Sequence, residues 1–117
     1  MSHAHNTLGN DEWLLKGNSL WSENGVYEFR MQQDGKIVVY ENGSPKWQNT
    51  KQQRDDVKGV KMQADGNLVV YADNGEAIWH SNTAPKKDVI LVIQNDGNLV
   101  LYEGNPVWAT STTPTAE

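Results

Sequence analysis

The sequence contains no cysteine, few basic residues and no run of about 18 apolar residues, the length that a membrane-spanning helix requires. The absence of cysteine excludes disulfide bonds, thiolate metal sites and cysteine nucleophiles. The 10 lysines and arginines are outnumbered by 15 aspartates and glutamates, and they are scattered among them. The sequence therefore predicts neither nucleic-acid binding nor membrane insertion, and it contains no metal or cofactor motif.

The chain has room for one domain with one core, because it is 117 residues long. Residues 1–10 are polar and lack the apolar segment of a signal peptide. Together with the missing cysteines, this favours a cytoplasmic or non-classically secreted protein. We expect a flexible N-terminus at 1–9, one domain at 10–112 and a C-terminal tail at 113–117.

Three ten-residue segments align without gaps, and they begin at Met31, Met62 and Ile93. They read MQQDGKIVVY, MQADGNLVVY and IQNDGNLVLY, so their glutamines, at 32, 63 and 94, recur every 31 residues. A tryptophan follows each copy, at Trp47, Trp79 and Trp108. A period of this size indicates a supersecondary unit that buries its apolar face only against its neighbours.

Apolar residues occupy every second position of each copy, on both sides of the Asp-Gly pair. They are Phe29, Met31, Ile37 and Val39, then Val60, Met62, Leu68 and Val70, then Leu91, Ile93, Leu99 and Leu101. Alternation with a period of two predicts strands. Because the alternation continues across Asp-Gly, the connecting loop must have an odd length. The pattern predicts a three-residue hairpin loop with glycine in the left-handed region.

Three such hairpins can close into a three-sided prism with their apolar faces turned inward. The fold class predicted is all-β with pseudo-threefold symmetry. One tryptophan per repeat fits a shared central cluster, since aromatic side chains bury large areas. Trp13 and Trp21 lie outside the repeat register, and we expect both to pack on the first sheet, the alternative being that they line a site.

The outward positions of the hairpins repeat the order Gln-x-Asp-x-Asn-x-Val-x-Tyr. A solvated strand face needs polar residues but not one particular order of them. Carboxylate, amide and phenol groups match the donors and acceptors of sugar hydroxyls, and valine offers an apolar patch to the C–H face. No nucleophile is evident and no second carboxylate lies beside the aspartate, so the pattern predicts sugar binding without catalysis.

The threefold motif resembles the signature of the bulb-type, or monocot, mannose-binding lectins over roughly Asn10 to Thr112. The resemblance implies a β-prism II fold of three four-stranded antiparallel sheets and selection of mannose through its axial 2-hydroxyl. It also implies mannose-containing glycans as partners, and a homodimer that can form by exchange of the C-terminal strand, here about Asn105 to Thr112. Plant members usually carry a cysteine where this chain has Gly35, Gly66 and Gly97, so the chain looks more like disulfide-free relatives outside plants.

The resemblance assigns one candidate mannose site to each copy. Site A comprises Gln63, Asp65, Asn67, Val69 and Tyr71, and site B comprises Gln94, Asp96, Asn98, Val100 and Tyr102. In both, the aspartate and asparagine would bind the 2-hydroxyl, the glutamine the 3-hydroxyl and the tyrosine the 4-hydroxyl. The valine would lie against C3 and C4.

Site C, in the first copy, comprises Gln32, Asp34, Lys36, Val38 and Tyr40 and departs from the motif. Lys36 replaces the asparagine, and its ammonium donates hydrogen bonds but accepts none. The same ammonium could pair with Asp34 and compete with a sugar. We expect a weak or silent site, the alternative being a working site with altered preference. For the whole protein, the alternative function is a β-prism protein-interaction module that has lost sugar binding.

Overall fold

The computed structural model describes residues 5–103 and 105–110, which form twelve β-strands and no helix. None of these residues therefore belongs to a helix that could cross a membrane. The strands are β1 (Thr7–Leu8), β2 (Glu12–Leu15), β3 (Ser19–Trp21), β4 (Tyr27–Met31), β5 (Ile37–Glu41), β6 (Ser44–Gln48), β7 (Val57–Met62), β8 (Leu68–Ala72), β9 (Ala77–His80), β10 (Ile90–Ile93), β11 (Leu99–Glu103) and β12 (Asn105–Ala109).

The strands form three four-stranded antiparallel sheets, with the orders β3-β4-β5-β6, β2-β7-β8-β9 and β1-β10-β11-β12. Each repeat supplies three consecutive strands of one sheet, and the N-terminal segment supplies the fourth. Its strands join in reverse order: β3 joins the sheet of the first repeat, β2 that of the second and β1 that of the third. The predicted fold class is confirmed. The first sheet strand, Thr7–Leu8, lies before the domain boundary predicted at residue 10. The predicted tail at 113–117 lies outside the described residues.

The reverse order of the N-terminal strands corrects one prediction about the tryptophans. Trp21 lies in β3 opposite Glu28 and belongs to the first repeat's sheet, as expected. Trp13 instead lies in β2 opposite Lys61, on the sheet of the second repeat. The expectation that Trp13 packs on the first sheet is therefore wrong, because strand pairing so distant in sequence leaves no local signal.

The three-residue hairpin loop is confirmed in all three copies. In the second copy the amide of Gln63 donates to the carbonyl of Asn67 at 2.9 Å, and Gly66 N donates back to Gln63 O at 3.0 Å. Gly66 has φ +90°, a conformation that costs little only for glycine. A Cβ at Gly66 would also lie 2.5 Å from the Cβ of Lys86, in the loop that leads to the third repeat. Both the positive φ and the close approach of Lys86 therefore require glycine at position 66 of this turn.

The core consists of the side chains that the alternation predicted to point inward. All twelve of those apolar residues are 0% exposed. Trp47, Trp79 and Trp108 are partly buried against this core. Their ring centroids are 5.9–6.4 Å apart with interplanar angles of 68–78°, the edge-to-face geometry that aromatic pairs favour. The shared tryptophan cluster predicted from the repeat is confirmed.

Candidate functional site

The structure brings the five motif side chains of each copy together on the outer face of its hairpin. In site A, the valine is much less exposed to solvent than the polar side chains. Asp65 is exposed, and Gln63, Asn67 and Tyr71 are half-buried, whereas Val69 is only 3% exposed. The valine therefore forms the floor of the site, and the polar groups form its rim.

Hydrogen bonds within site A fix the orientation of its acidic group. The Tyr71 hydroxyl donates to Gln63 Oε1, so the amide of Gln63 points its Nε2 at the carboxylate of Asp65. Nε2 donates to both carboxylate oxygens, at 3.1 and 3.3 Å. Asn67 N donates to Asp65 Oδ1 at 3.0 Å. Asp65 Oδ1 is thus engaged with the turn, and Oδ2 retains more capacity to accept from a ligand hydroxyl.

The side-chain carbonyl of Asn67 is occupied by the loop that follows β9. Oδ1 accepts from Ser81 Oγ at 3.3 Å, Asn82 N at 3.0 Å and Thr83 N at 3.2 Å. The free donors of Asn67 lie on Nδ2, which is 3.4 Å from His80 Nδ1. The side chain of Asn67 can therefore offer a ligand mainly a hydrogen-bond donor. The sequence motif identifies this asparagine but gives no sign that it also anchors a distant loop.

Site B has the same groups in a slightly different bonding pattern. Its turn is held as in site A, since Asn98 N donates to Asp96 Oδ1 at 3.0 Å. The amide of Gln94 is turned over relative to that of Gln63, so that its Nε2 donates to the Tyr102 hydroxyl. A cleft of about 380 Å³ adjoins the site, and its lining includes Gln94, Asp96 and Glu23.

Site C keeps the internal bonds of the motif but not its asparagine. Gln32 Nε2 donates to Asp34 Oδ1 at 3.0 Å and Oδ2 at 3.2 Å, and the Tyr40 hydroxyl donates to Gln32 Oε1. Lys36 Nζ donates to Gln48 Oε1 at 3.3 Å. The expected pairing of Lys36 with Asp34 is therefore replaced by this contact, because the long lysine stem reaches the neighbouring strand β6.

A charged loop lies beside site C. Arg54 N donates to the carbonyl of Asp34 at 2.7 Å, which joins the loop to the turn of the site. The Arg54 guanidinium contacts the Asp56 carboxylate through two bonds of 2.9 and 2.8 Å. This hydrogen bonding lowers the pKa of Asp56 and raises that of Arg54, so both stay charged near neutral pH. Asp34 is half-buried, unlike Asp65 and Asp96, which are exposed.

Sequence reasoning gave a lining role for Trp13 only as an alternative, and it missed Lys58 and Lys61, which also flank site A. Trp13 contacts Tyr71, with ring centroids 5.5 Å apart. Lys58 and Lys61 lie beside the Trp13 ring. The only sequence signal was that Trp13 falls outside the repeat register. Among residues 5–103 and 105–110, no group of three or more His, Cys, Asp or Glu side chains is arranged to hold a metal ion.

Solved structures with this architecture are lectins. The chain is 38% identical to the Japanese Marasmius oreades lectin, with a TM-score of 0.82 over 93% of this chain and 92% of that one. It is 36% identical to monomeric monocot mannose-binding lectins from Gastrodia elata, with a TM-score of 0.81 over 94% and 98% of the two chains. For the mannose-specific agglutinin from snowdrop (Galanthus nivalis) bulbs, solved with methyl α-D-mannoside, the identity is 35% and the TM-score 0.74 over 92% and 97%.

Three outward hairpin faces on a β-prism and relatives of this similarity define a carbohydrate-binding lectin. The chain belongs to the bulb-type mannose-binding lectin family. No family model and no curated protein sequence matches the chain.

Proposed function

We propose that this protein binds α-D-mannose and mannosylated glycans, without catalysis, through sites A and B. The observation that carries the proposal is the oriented carboxylate in site A. Gln63 and the backbone of Asn67 hold Asp65 in place, and the loop 81–83 engages the side-chain oxygen of Asn67, which leaves Nδ2 as its donor. A held acceptor and a donor from the same motif suit a sugar hydroxyl, which needs both partners.

The second intact motif supports binding at site B by the same logic, since Asp96 is exposed and its turn is held by the Asn98 amide. Site C is proposed to be weak or silent, because Lys36 stands where the motif has asparagine and is engaged with Gln48. The snowdrop agglutinin and the Gastrodia lectins are named for mannose, which favours mannose over other hexoses for this chain.

A single site of this kind should bind weakly. A few neutral hydrogen bonds contribute about 0.5–1.5 kcal/mol each, and ordering the sugar offsets much of this. We expect a Kd of about 1 mM per site, equivalent to about −4 kcal/mol. Useful affinity then requires clustered glycans, on which linked sites gain about 10²–10⁴ in avidity.

A homodimer would multiply these sites and is part of the proposal. β12 pairs with β11 of the same chain, in the register Leu101↔Trp108. Exchange of that strand between two copies would form the same pairing between chains. Sedimentation at several protein concentrations tests the assembly, and a monomer at all of them would remove the homodimer from the proposal.

The direct test of the function compares two sugars that differ at one carbon. Methyl α-mannoside has an axial 2-hydroxyl and methyl α-glucoside an equatorial one. Calorimetric titration should give millimolar binding of the mannoside and at least about 10-fold weaker binding of the glucoside, because a misplaced hydroxyl leaves its partners unpaired. No heat with either sugar at tens of millimolar would favour the alternative of a protein-interaction module.

A further inference from the structure

A cleft of about 210 Å³ beside site A is lined by Trp13, Lys58, Lys61, Tyr71 and Asp73, among others. Tyr71 belongs to both this Trp13 cleft and site A, so the two are contiguous. We propose that the Trp13 cleft binds the second pyranose unit of a mannoside whose first unit occupies site A. The inference rests on the proposed function, because it requires a sugar in site A.

The sheet register explains how an aromatic side chain reaches the site. Trp13 pairs with Lys61, and the next outward position along β7 is Gly59, which pairs with Tyr71. Because Gly59 has no side chain, no atoms beyond the backbone separate Trp13 from Tyr71. Strand β2 also approaches closely here, since a Cβ on Gly59 would lie 2.7 Å from Leu14 O. The two rings meet at 5.5 Å with a tilt of 52°.

The groups in the cleft are those that a pyranose needs. The half-buried indole of Trp13 offers an apolar surface to the C–H face of a sugar ring. Lys58 Nζ and Lys61 Nζ lie 4.7 and 5.6 Å from the centroid of that indole, and they supply donors for hydroxyls. Asp73 supplies an acceptor. Lysine stems are flexible, so the ammonium groups can turn from the ring to the sugar.

The charge balance favours a neutral sugar over an anionic one. Lys61 Nζ is 3.8 Å from Asp11 Oδ1, which offsets its charge. Asp73 also lines the cleft, so Lys58 and Lys61 are accompanied by two carboxylates, those of Asp73 and Asp11. With no net positive charge among these four groups, the cleft gives a phosphate or carboxylate substituent little advantage over a hydroxyl.

The other two sites lack this arrangement, although their motifs lie in the same register. The positions that match Trp13, Lys61 and Gly59 are Thr7, Val92 and Ile90 beside site B, and Ser19, Arg30 and Glu28 beside site C. Beside site C, Ser19 Oγ donates to Glu28 Oε2 at 2.5 Å. The side chain of Glu28 therefore occupies the position that glycine leaves open beside site A. Among the described residues, a tryptophan at this register position, next to a glycine, therefore lies beside site A alone.

Single-site variants make the inference testable. Asp96→Ala leaves site A as the intact motif, and Asp65→Ala leaves site B. In each, the readout is the Kd of methyl α-mannoside divided by the Kd of an α-1,2-, α-1,3- or α-1,6-dimannoside. Covering roughly 50 Å² of apolar surface corresponds to about a 5- to 10-fold gain. We expect that gain for at least one linkage with Asp96→Ala, and a ratio near one with Asp65→Ala.

Substitutions in the Trp13 cleft complete the test. Adding Trp13→Ala to Asp96→Ala should return the ratio to near one, and adding Lys58→Gln should lower it, which provides a second variant if Trp13→Ala fails to fold. Trp21→Ala, in β3 of the first sheet, is the matched control and should preserve the gain. A ratio near one with Asp96→Ala, or a gain that survives Trp13→Ala, would overturn the inference while leaving the proposed function intact. Failure of the monosaccharide itself to bind would overturn both.

Discussion

The first and second repeats share a hairpin, a turn and a core but differ at the fourth residue after the motif glutamine. In the second repeat, the side-chain oxygen of Asn67 accepts hydrogen bonds from the loop 81–83, and its Nδ2 lies 3.4 Å from His80 Nδ1. In the first, Lys36 reaches across to Gln48. The hairpin, the turn and the core are common to both repeats, whereas the residue at this position differs in its chemistry and in the segment that it contacts.

A missing acceptor does not explain a weak site C, because the acceptor of Asn67 in the second repeat is already used within the chain. What the lysine removes is a short, fixed donor, which it replaces with a long stem bound elsewhere. The half-buried Asp34 adds a second difference from Asp65.

The largest expected effect comes from removing both exposed carboxylates. Asp65→Ala combined with Asp96→Ala should lower mannoside affinity at each site at least about 10-fold, because each charged acceptor contributes about 1.5–3 kcal/mol. Calorimetry with methyl α-mannoside measures the loss. Asp34→Ala is the matched control, since Asp34 Oδ1 accepts the Lys36 amide just as Asp65 accepts that of Asn67. Wild-type binding by the double variant would refute the site assignment.

A large effect on stability is expected at the turn that both repeats share. Gly66→Ala should cost about 3 kcal/mol, because it combines positive-φ strain of about 1–2 kcal/mol with overpacking against Lys86. Gly75→Ala isolates the strain, since Gly75 has φ +91° and open space around its Cβ position. Urea unfolding measures both. Equal losses would mean that the loop before the third repeat does not constrain the turn.

The next prediction converts site A into the form of site C. Asn67→Lys in the Asp96→Ala background should weaken methyl α-mannoside binding about 10-fold, because it removes the fixed amide donor and frees the loop 81–83. Asn74→Lys, on an exposed turn, adds the same charge to that sheet without touching the motif. An unchanged Kd for Asn67→Lys would show that the fourth position does not distinguish the repeats.

The smallest effect is the reverse change in the first repeat. Lys36→Asn, added to the Asp65→Ala and Asp96→Ala background, should restore one mannose site within about 10-fold of the affinity of site A. The expected recovery is partial because Asp34 is half-buried, unlike Asp65. Saturation-transfer NMR with methyl α-mannoside detects such weak binding. No signal would mean that Asp34 and its surroundings, rather than Lys36, silence the site.

Much of this fold could be predicted from the sequence, because its decisive signals are local. Alternation on both sides of Asp-Gly predicts the hairpin, the loop length and the twelve inward residues, all of which depend on neighbours in the chain. The pairing of the N-terminal strands is non-local, and so Trp13 was assigned to the wrong sheet. The contacts of Asn67 and Lys36 were missed for the same reason, since each reaches a segment more than ten residues away.

The most direct measurement is a site-resolved NMR titration of the wild-type protein with methyl α-mannoside. The account predicts saturable shifts, at millimolar sugar, of the backbone and side-chain amides of 63–71 and 94–102. Shifts across 32–40 should be small at the concentrations that saturate the other two segments. Equal shifts in all three segments, or saturation of 32–40 first, would contradict the claim that sites A and B bind mannose and site C does not.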